Sequence, residues 1–381
     1  MEEKHMSEPE KKSPPKKLTP ADVLKGESPL VLTATLEPIG SDRFQPAGFP
    51  EIGHVIYKAP RKDRTTEPVC IVDSAASMAN HLEAVCMRGR HDFDLVDELD
   101  EMPYIRCVTG DLVDGKLPID KRETVVTSLT EGHRIASSLL LEGKALTSDG
   151  TKSDVKFEDE LIKRFDIVVP NSPKAHPSPE KWWDVFKNIF ELDPNSLVHG
   201  VLFPQWQIKI PRALTAHLEA FGAGRVDRSG VKFDKELGPK SDKRVQAIFA
   251  VDDAVAESIR ATFVLDVGLI RSFGRKKGDK TLGLSEKQQE FLVALALWKI
   301  QRLLASPYRF RSGCHLRCTA LVSYELEVEL DVDIGAAIKA AGFGPQPITD
   351  VFWPREELYR EGKAEAAKGA EEDDETEDSE E

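Results

Sequence analysis

Three short runs set basic residues against aromatic ones: Arg43-Phe44-Gln45, Arg271-Ser-Phe273-Gly-Arg275-Lys276-Lys277 and Tyr308-Arg309-Phe310-Arg311. A guanidinium can fork onto phosphate oxygens through two N–H groups, and an aromatic ring offers a base a stacking surface of about 1–3 kcal/mol. Each run taken alone reads as a solvated loop with one buried ring. Their setting argues for more, because Arg271–Arg317 carries eleven Lys/Arg against three Asp/Glu, a local charge of +8. Such a tract points to a polyanionic partner, since phosphate binding follows where positive charge sits rather than its total.

Other chemistry finds little support. The glycine-rich turn with Lys and Ser/Thr that cradles nucleotide phosphates is missing, as are a Gly-x-Gly-x-x-Gly turn and a His-Glu-x-x-His zinc helix. Five cysteines (Cys70, Cys86, Cys107, Cys314, Cys318) are scattered through apolar segments and read as buried free thiols; Cys314 and Cys318 lack the second pair that a zinc site needs. His133 and Glu131 are too close in sequence to face each other on a helix. Asp42, beside Arg43, is the one carboxylate of interest: a loop aspartate near bound RNA can assist attack by a 2′-hydroxyl, whereas its plainer role is to hold the turn. The expectation is a protein without catalytic residues, metal or cofactor. The competing reading is a ribonuclease that cuts bound RNA with Asp42.

The elements that must position these residues follow from periodicity. Leu30–Glu37 alternates as a strand and runs into the Pro- and Gly-rich loop Pro38–Pro50, which holds Arg43. Val69–Val72 reads as a short buried strand. A helix from about Ser74 to Cys86 follows, with Ala75, Met78, Ala79, Leu82, Val85 and Cys86 on one face and Ser77, Asn80 and His81 elsewhere. Further helices are expected over Ser128–Leu141, from Pro179 through the aromatic stripe Trp182–Phe190, and from the capping box Ser285/Gln288 to about Ala305, with a helix or helical turn over Ala213–Ala220. Gln207–Pro211, Val245–Val251 and Ile259–Leu265 read as strands, and Arg271–Lys280 as a basic loop. Cys314–Leu330 alternates throughout and reads as one long strand with a buried face.

The formal net charge of −14 seems to oppose a nucleic-acid partner. Residues 362–381, however, hold ten acidic residues and two lysines, net −8, and such a tail cannot bury apolar surface. Residues 1–20 form a polar Lys/Glu/Pro leader, also expected to be disordered. Between them, 21–361 is expected to form a single domain with two charged excursions, 143–179 and 222–243. No apolar run approaches eighteen residues and the start lacks an apolar signal region, so a cytoplasmic protein without a membrane partner is expected.

The runs Ala34–Pro50 (ATLEPIGSDRFQPAGFP) and Asp73–Cys86 (DSAASMANHLEAVC) together resemble one family. It is the Cas-seven-type backbone subunit of type I-G (formerly I-U) CRISPR Cascade effectors, in the RAMP superfamily. Ser128–Arg134, Leu197–Gly200, Ile210–Arg212, Leu269–Gly274 and Phe310–Cys314 add matches in order over roughly Leu30–Leu330. The resemblance implies an α+β fold: an RRM-like (ferredoxin-like) antiparallel-sheet palm with helical and hairpin insertions. It implies copies that stack along one CRISPR RNA beside other Cascade subunits and present its bases to target DNA, the guide reading sequence while protein holds backbone. Carried onto this chain, Arg43, Phe44 and Gln45 lie in the loop leaving the first palm strand, and Ser77, Asn80 and His81 present the polar side of the next helix. On the same resemblance Arg271, Arg275, Lys276 and Arg311 are expected to contact phosphate. Arg134, Lys277 and Arg309, within or beside matching runs, complete the RNA-binding set. Either excursion is a candidate for the thumb that meets a neighbouring copy.

Overall fold

The computed structural model describes residues 14–49, 53–89, 91–147, 149–226 and 252–358. The chain divides into two compact units. Among the described residues, one is drawn from 14–78, 216–264 and 300–332, the other from 79–215, 265–299 and 333–358.

The first unit is organised by a nine-stranded sheet. Its centre runs in the order Cys314–Ser323, Leu30–Pro38, Ser258–Leu265, Leu214–Phe221. Numbered along the chain these are strands four, one, three and two. The helix Ala75–Ala84 falls between the first and second, and the helix Glu286–Leu304 between the third and fourth. That β-α-β-β-α-β order is the ferredoxin-like palm. Period-two burial builds its covered face: Leu32, Ala34 and Leu36 on the first strand, and Ile259, Ala261, Phe263 and Leu265 on the third. Thr66–Asp73 and Ile56–Pro60 extend the sheet on one side, Leu326–Leu330 and Lys16–Leu18 on the other. The last of these lies within the stretch read as a disordered leader; Leu18 is buried and pairs with Leu330, which orders it. Residues 1–13 and 359–381, including the acidic tail, lie outside the described residues.

Two elements of this unit differ from the sequence reading. Leu214–Phe221 is a strand, not a helix. Leu214 and Leu218 suit either period, but Ala216 and Ala220 are buried as well, and only a period of two covers all four. Cys314–Leu330 is a hairpin rather than one strand, turning at Tyr324 and Glu325 with φ of 47° and 72°. Such a two-residue turn pairs Val322 with Glu327 and Ser323 with Leu326, so even residues of one arm oppose odd residues of the other.

In the second unit a five-stranded sheet runs Lys152–Lys156, Lys144–Leu146, Ile348–Phe352, Tyr104–Thr109, Glu123–Thr127. On it Asp350 accepts from Arg106 Nε at 2.8 Å and from Arg122 Nη1 at 2.6 Å. The helix Trp182–Leu192 contributes core as its stripe implies: Phe190 packs edge-on to Phe291 at 5.8 Å and stacks on Phe343 at 4.9 Å. Glu286–Leu304 begins with the expected capping box, Gln288 N donating to Ser285 Oγ and Ser285 N to Gln288 Oε1. Residues 291–300 of this helix are buried on every side, wider than a single apolar face.

Three further readings are corrected here. Ser128–Leu141 is not a continuous helix. Thr127 Oγ1 accepts from Leu129 N and Thr130 N, which favours a turn, and the helix proper is only Ser138–Leu141. Residues 143–179 supply four short strands and the helix Phe157–Arg164 rather than a surface excursion, with Phe157, Leu161 and Phe165 buried at helical spacing. Arg271–Lys280 is part of a helix, Val267–Ser272, and a hairpin, Gly274–Lys277 with Lys280–Gly283. At the base of that hairpin a Cβ on Gly283 would meet Phe273 O at 2.1 Å, so only glycine fits.

Candidate functional site

The loop leaving the first palm strand is stitched down residue by residue. Ser41 Oγ donates to Arg43 O at 2.9 Å and accepts from Arg43 N at 3.2 Å. Phe44 exchanges both backbone hydrogen bonds with Ala254, at 3.0 and 2.8 Å; Gln45 N donates to Gly313 O and Ala47 N to Val72 O, each at 2.9 Å. Three separate segments therefore fix its path. Arg43 projects from it with its side chain 57 % exposed, and the nearest approach of Nη1 to Asp253 is 3.9 Å. Phe44 points the other way and is 1 % exposed. The expected stacking role for Phe44 is thus corrected: the ring is the plug that seats the loop.

Beside this loop, Asp73 gathers three donors. Its Oδ1 accepts from Ser74 N at 2.9 Å and pairs with Arg311 Nη2 at 2.8 Å, while Oδ2 accepts from Ser77 Oγ at 3.0 Å. Ser77 and Arg311, both expected to face RNA, are thus brought together with Gln45, whose partner Gly313 lies two residues past Arg311. Arg311 is half-buried and charge-paired, so it offers an incoming phosphate less than Arg43 does. Burial pushes the neighbouring Cys314 thiol up to about 12 and Cys70 to about 11, so neither supplies a thiolate near neutral pH.

The flanks of the 222–243 excursion reach the same place. Gly224–Val226 pairs antiparallel with Asp253–Val255, and Arg225 Nε lies 3.1 Å from Asp252 Oδ2. Residues 227–251, with the expected strand Val245–Val251, lie outside the described residues. Arg225 escaped the sequence reading because only the pairing to Phe44's neighbours reveals where it sits. Arg309 is exposed on the strand Tyr308–Arg311, whose Phe310 is buried.

In the second unit, Asn80 is exposed and His81 half-buried on their helix. Arg275, Lys276 and Lys277 are exposed along the hairpin, with the Arg275 guanidinium 5.7 Å from the centre of the Trp183 ring. Arg271 is half-buried at the end of the preceding helix, where its carbonyl accepts from Gln289 Nε2 at 3.1 Å. Arg134 departs most from expectation. It is 5 % exposed, with Nε and Nη2 donating to the two carboxylate oxygens of Glu83 and Nη1 to the carbonyls of Gly132 and Gly200. An RNA contact is replaced by a structural one. Asp42 is exposed in its loop, and no cluster of three or more His, Cys, Asp or Glu is arranged to hold a metal among the described residues. No described helix is long and apolar enough to cross a membrane.

Residues 30–225, just over half of the chain, match the family described as CRISPR-associated protein GSU0053. The chain belongs to that CRISPR-associated family. No curated protein matches it. Among solved structures it is similar to Csc2 of Thermofilum pendens, at 11 % identity and a TM-score of 0.27, over 91 % of this chain and 79 % of that one.

Proposed function

We propose that this chain is the Cas-seven-type backbone subunit of a type I-G CRISPR effector. In this reading copies of it, with other Cascade subunits, line one CRISPR RNA, hold its phosphates and leave its bases free to pair with target DNA. Family membership and the ferredoxin-like palm support it. The observation that carries it is the Arg43 loop: the exposed guanidinium rises from a backbone already fixed by three other segments, so only its side chain has to be ordered when it meets a phosphate. The hairpin with Arg275, Lys276 and Lys277 supplies a second cationic surface. No catalytic step is assigned to the chain.

The test is to express it with a repeat-spacer transcript and its neighbouring effector subunits. Wild type is expected to purify as a multimer with RNA of one discrete length, and an Arg43→Glu/Arg275→Glu variant to lose that RNA. Protein free of nucleic acid, or RNA retained unchanged by the double variant, would sink the reading or its sites respectively.

A further inference from the structure

The second unit holds a small pocket that the proposed palm site does not use. Val201–Phe203 pairs antiparallel with Ile208–Ile210, which draws Gly200 against Arg212. Gly200 has φ of 82°, and a Cβ there would lie 2.9 Å from Ile210 O and 3.0 Å from Arg212 N, so the approach requires glycine. The turn before Arg134 closes the remaining side, since Arg134 Nη1 donates to Gly132 O at 3.4 Å and to Gly200 O at 3.2 Å. The resulting open cleft has a volume of about 240 Å³.

Its wall is cationic. His133, Arg134, His199, Lys209 and Arg212 contribute to it, and no Asp or Glu does among the described residues. Arg134 is neutralised by Glu83 and is discounted. Lys209 and Arg212 remain, exposed at the rim with His133. At the inner wall, His199 is fully buried, yet neither ring nitrogen has a hydrogen-bond partner among the described residues. Buried polar groups nearly always have one, so this ring is an exception that a donor or acceptor in the pocket would satisfy. Burial, with Lys299, Arg134 and Arg212 around it, holds its pKa well below the usual histidine value. A neutral imidazole can donate one N–H to an oxyanion, and the surrounding cations favour that anion's charge.

We infer that this pocket binds a phosphate group, gripped by Lys209 and Arg212 and met from within by His199. Charge decides the class: the lining offers cations and an imidazole but no carboxylate among the described residues, and the volume admits one tetrahedral oxyanion. The phosphate comes either from a nucleic-acid backbone or from a free phosphate ion. The pocket does not depend on the RNA reading of the palm loop.

The experiment follows ring-nitrogen resonances of the full-length protein labelled at histidine, assigned with His133→Gln and His199→Gln. Inorganic phosphate is expected to shift both rings, with affinity at least tenfold weaker in a Lys209→Gln/Arg212→Gln variant whose melting temperature is unchanged. If single-stranded RNA moves the same resonances and competes with phosphate, the source is a nucleic-acid backbone. If bound RNA leaves them untouched while phosphate still shifts them, the source is the free ion. No shift with either probe, an affinity unchanged in the double variant, or acetate binding as tightly as phosphate overturns the proposal. Failure of Arg43→Glu to weaken RNA binding would instead count against the palm site and leave the pocket standing.

Discussion

Arg134 and Glu83, fifty-one positions apart, meet as a buried two-point fork: Nε to Oε1 at 2.7 Å and Nη2 to Oε2 at 2.8 Å. Glu83 Oε1 also accepts from Asn195 Nδ2 at 2.7 Å, and Asn195 Oδ1 in turn accepts from the fully buried Lys299. Removing one member strands a charge in a medium that solvates it poorly. Arg134→Ala or Glu83→Ala is therefore expected to cost about 3–5 kcal/mol in urea unfolding, whereas Arg134→Met/Glu83→Met costs much less than the two losses added. A near-neutral Arg134→Ala would return this residue to the RNA-facing set.

Phe44 invites a similar separation of roles. A stacking ring replaced by alanine weakens RNA binding by about 1–3 kcal/mol and leaves the fold alone. A plug replaced by alanine costs the fold about 3–5 kcal/mol. Burial favours the second, so Phe44→Leu should keep most RNA affinity while Phe44→Ala lowers the melting temperature. Normal stability with abolished binding in Phe44→Ala would reverse the assignment.

Exposed guanidiniums predict the opposite pattern. Arg43→Glu and Arg275→Glu should leave the melting temperature within about a degree or two, as surface changes do. The slope of log K against log salt for single-stranded RNA should fall by about 0.7 for each phosphate that is no longer neutralised. Affinity that drops with no change in slope would mean that these residues do not meet phosphate.

Local signals were legible and distant ones were not. Ser285 and Gln288 are three residues apart, so their capping box could be read directly, as could the alternation of Leu32, Ala34 and Leu36. Arg43 could be placed on the loop after that strand for the same reason. The burial of Phe44 depends on Ala254, and that of Arg134 on Glu83 and Gly200; nothing beside either residue in sequence announces the partner. A basic residue next to an aromatic one therefore looks the same whether the ring faces solvent or the core. The hairpin at Tyr324 failed differently: apolar residues alternate straight through it, and neither central residue is the glycine or asparagine that marks such turns.

Whether Asp42 cleaves RNA is open to a direct check. The purified complex incubated with complementary RNA and magnesium is expected to leave that RNA intact over hours. Regularly spaced cuts that vanish in Asp42→Ala would establish a ribonuclease instead.

Two buried groups in the second unit make stability depend on pH in opposite senses. Burial, with Glu83 nearby, raises Asp193 to about 6 against the pull of Ser196, Arg134 and Lys299. An acid raised in the fold takes its proton there first. Asp193 therefore adds stability as pH falls from about 6 toward 4, and that contribution is lost as pH rises through about 6. His199 stays neutral in the fold while the unfolded chain takes up a proton below about 6.5, so it subtracts stability over the same acid range. In wild type the two partly cancel. Asp193→Asn removes one of them: its urea midpoint should exceed that of wild type at pH 7.5, where the buried charge is gone, and should fall more steeply between pH 6.5 and 4.5, where His199 acts alone. A curve parallel to wild type over that range would show that Asp193 does not titrate within the fold.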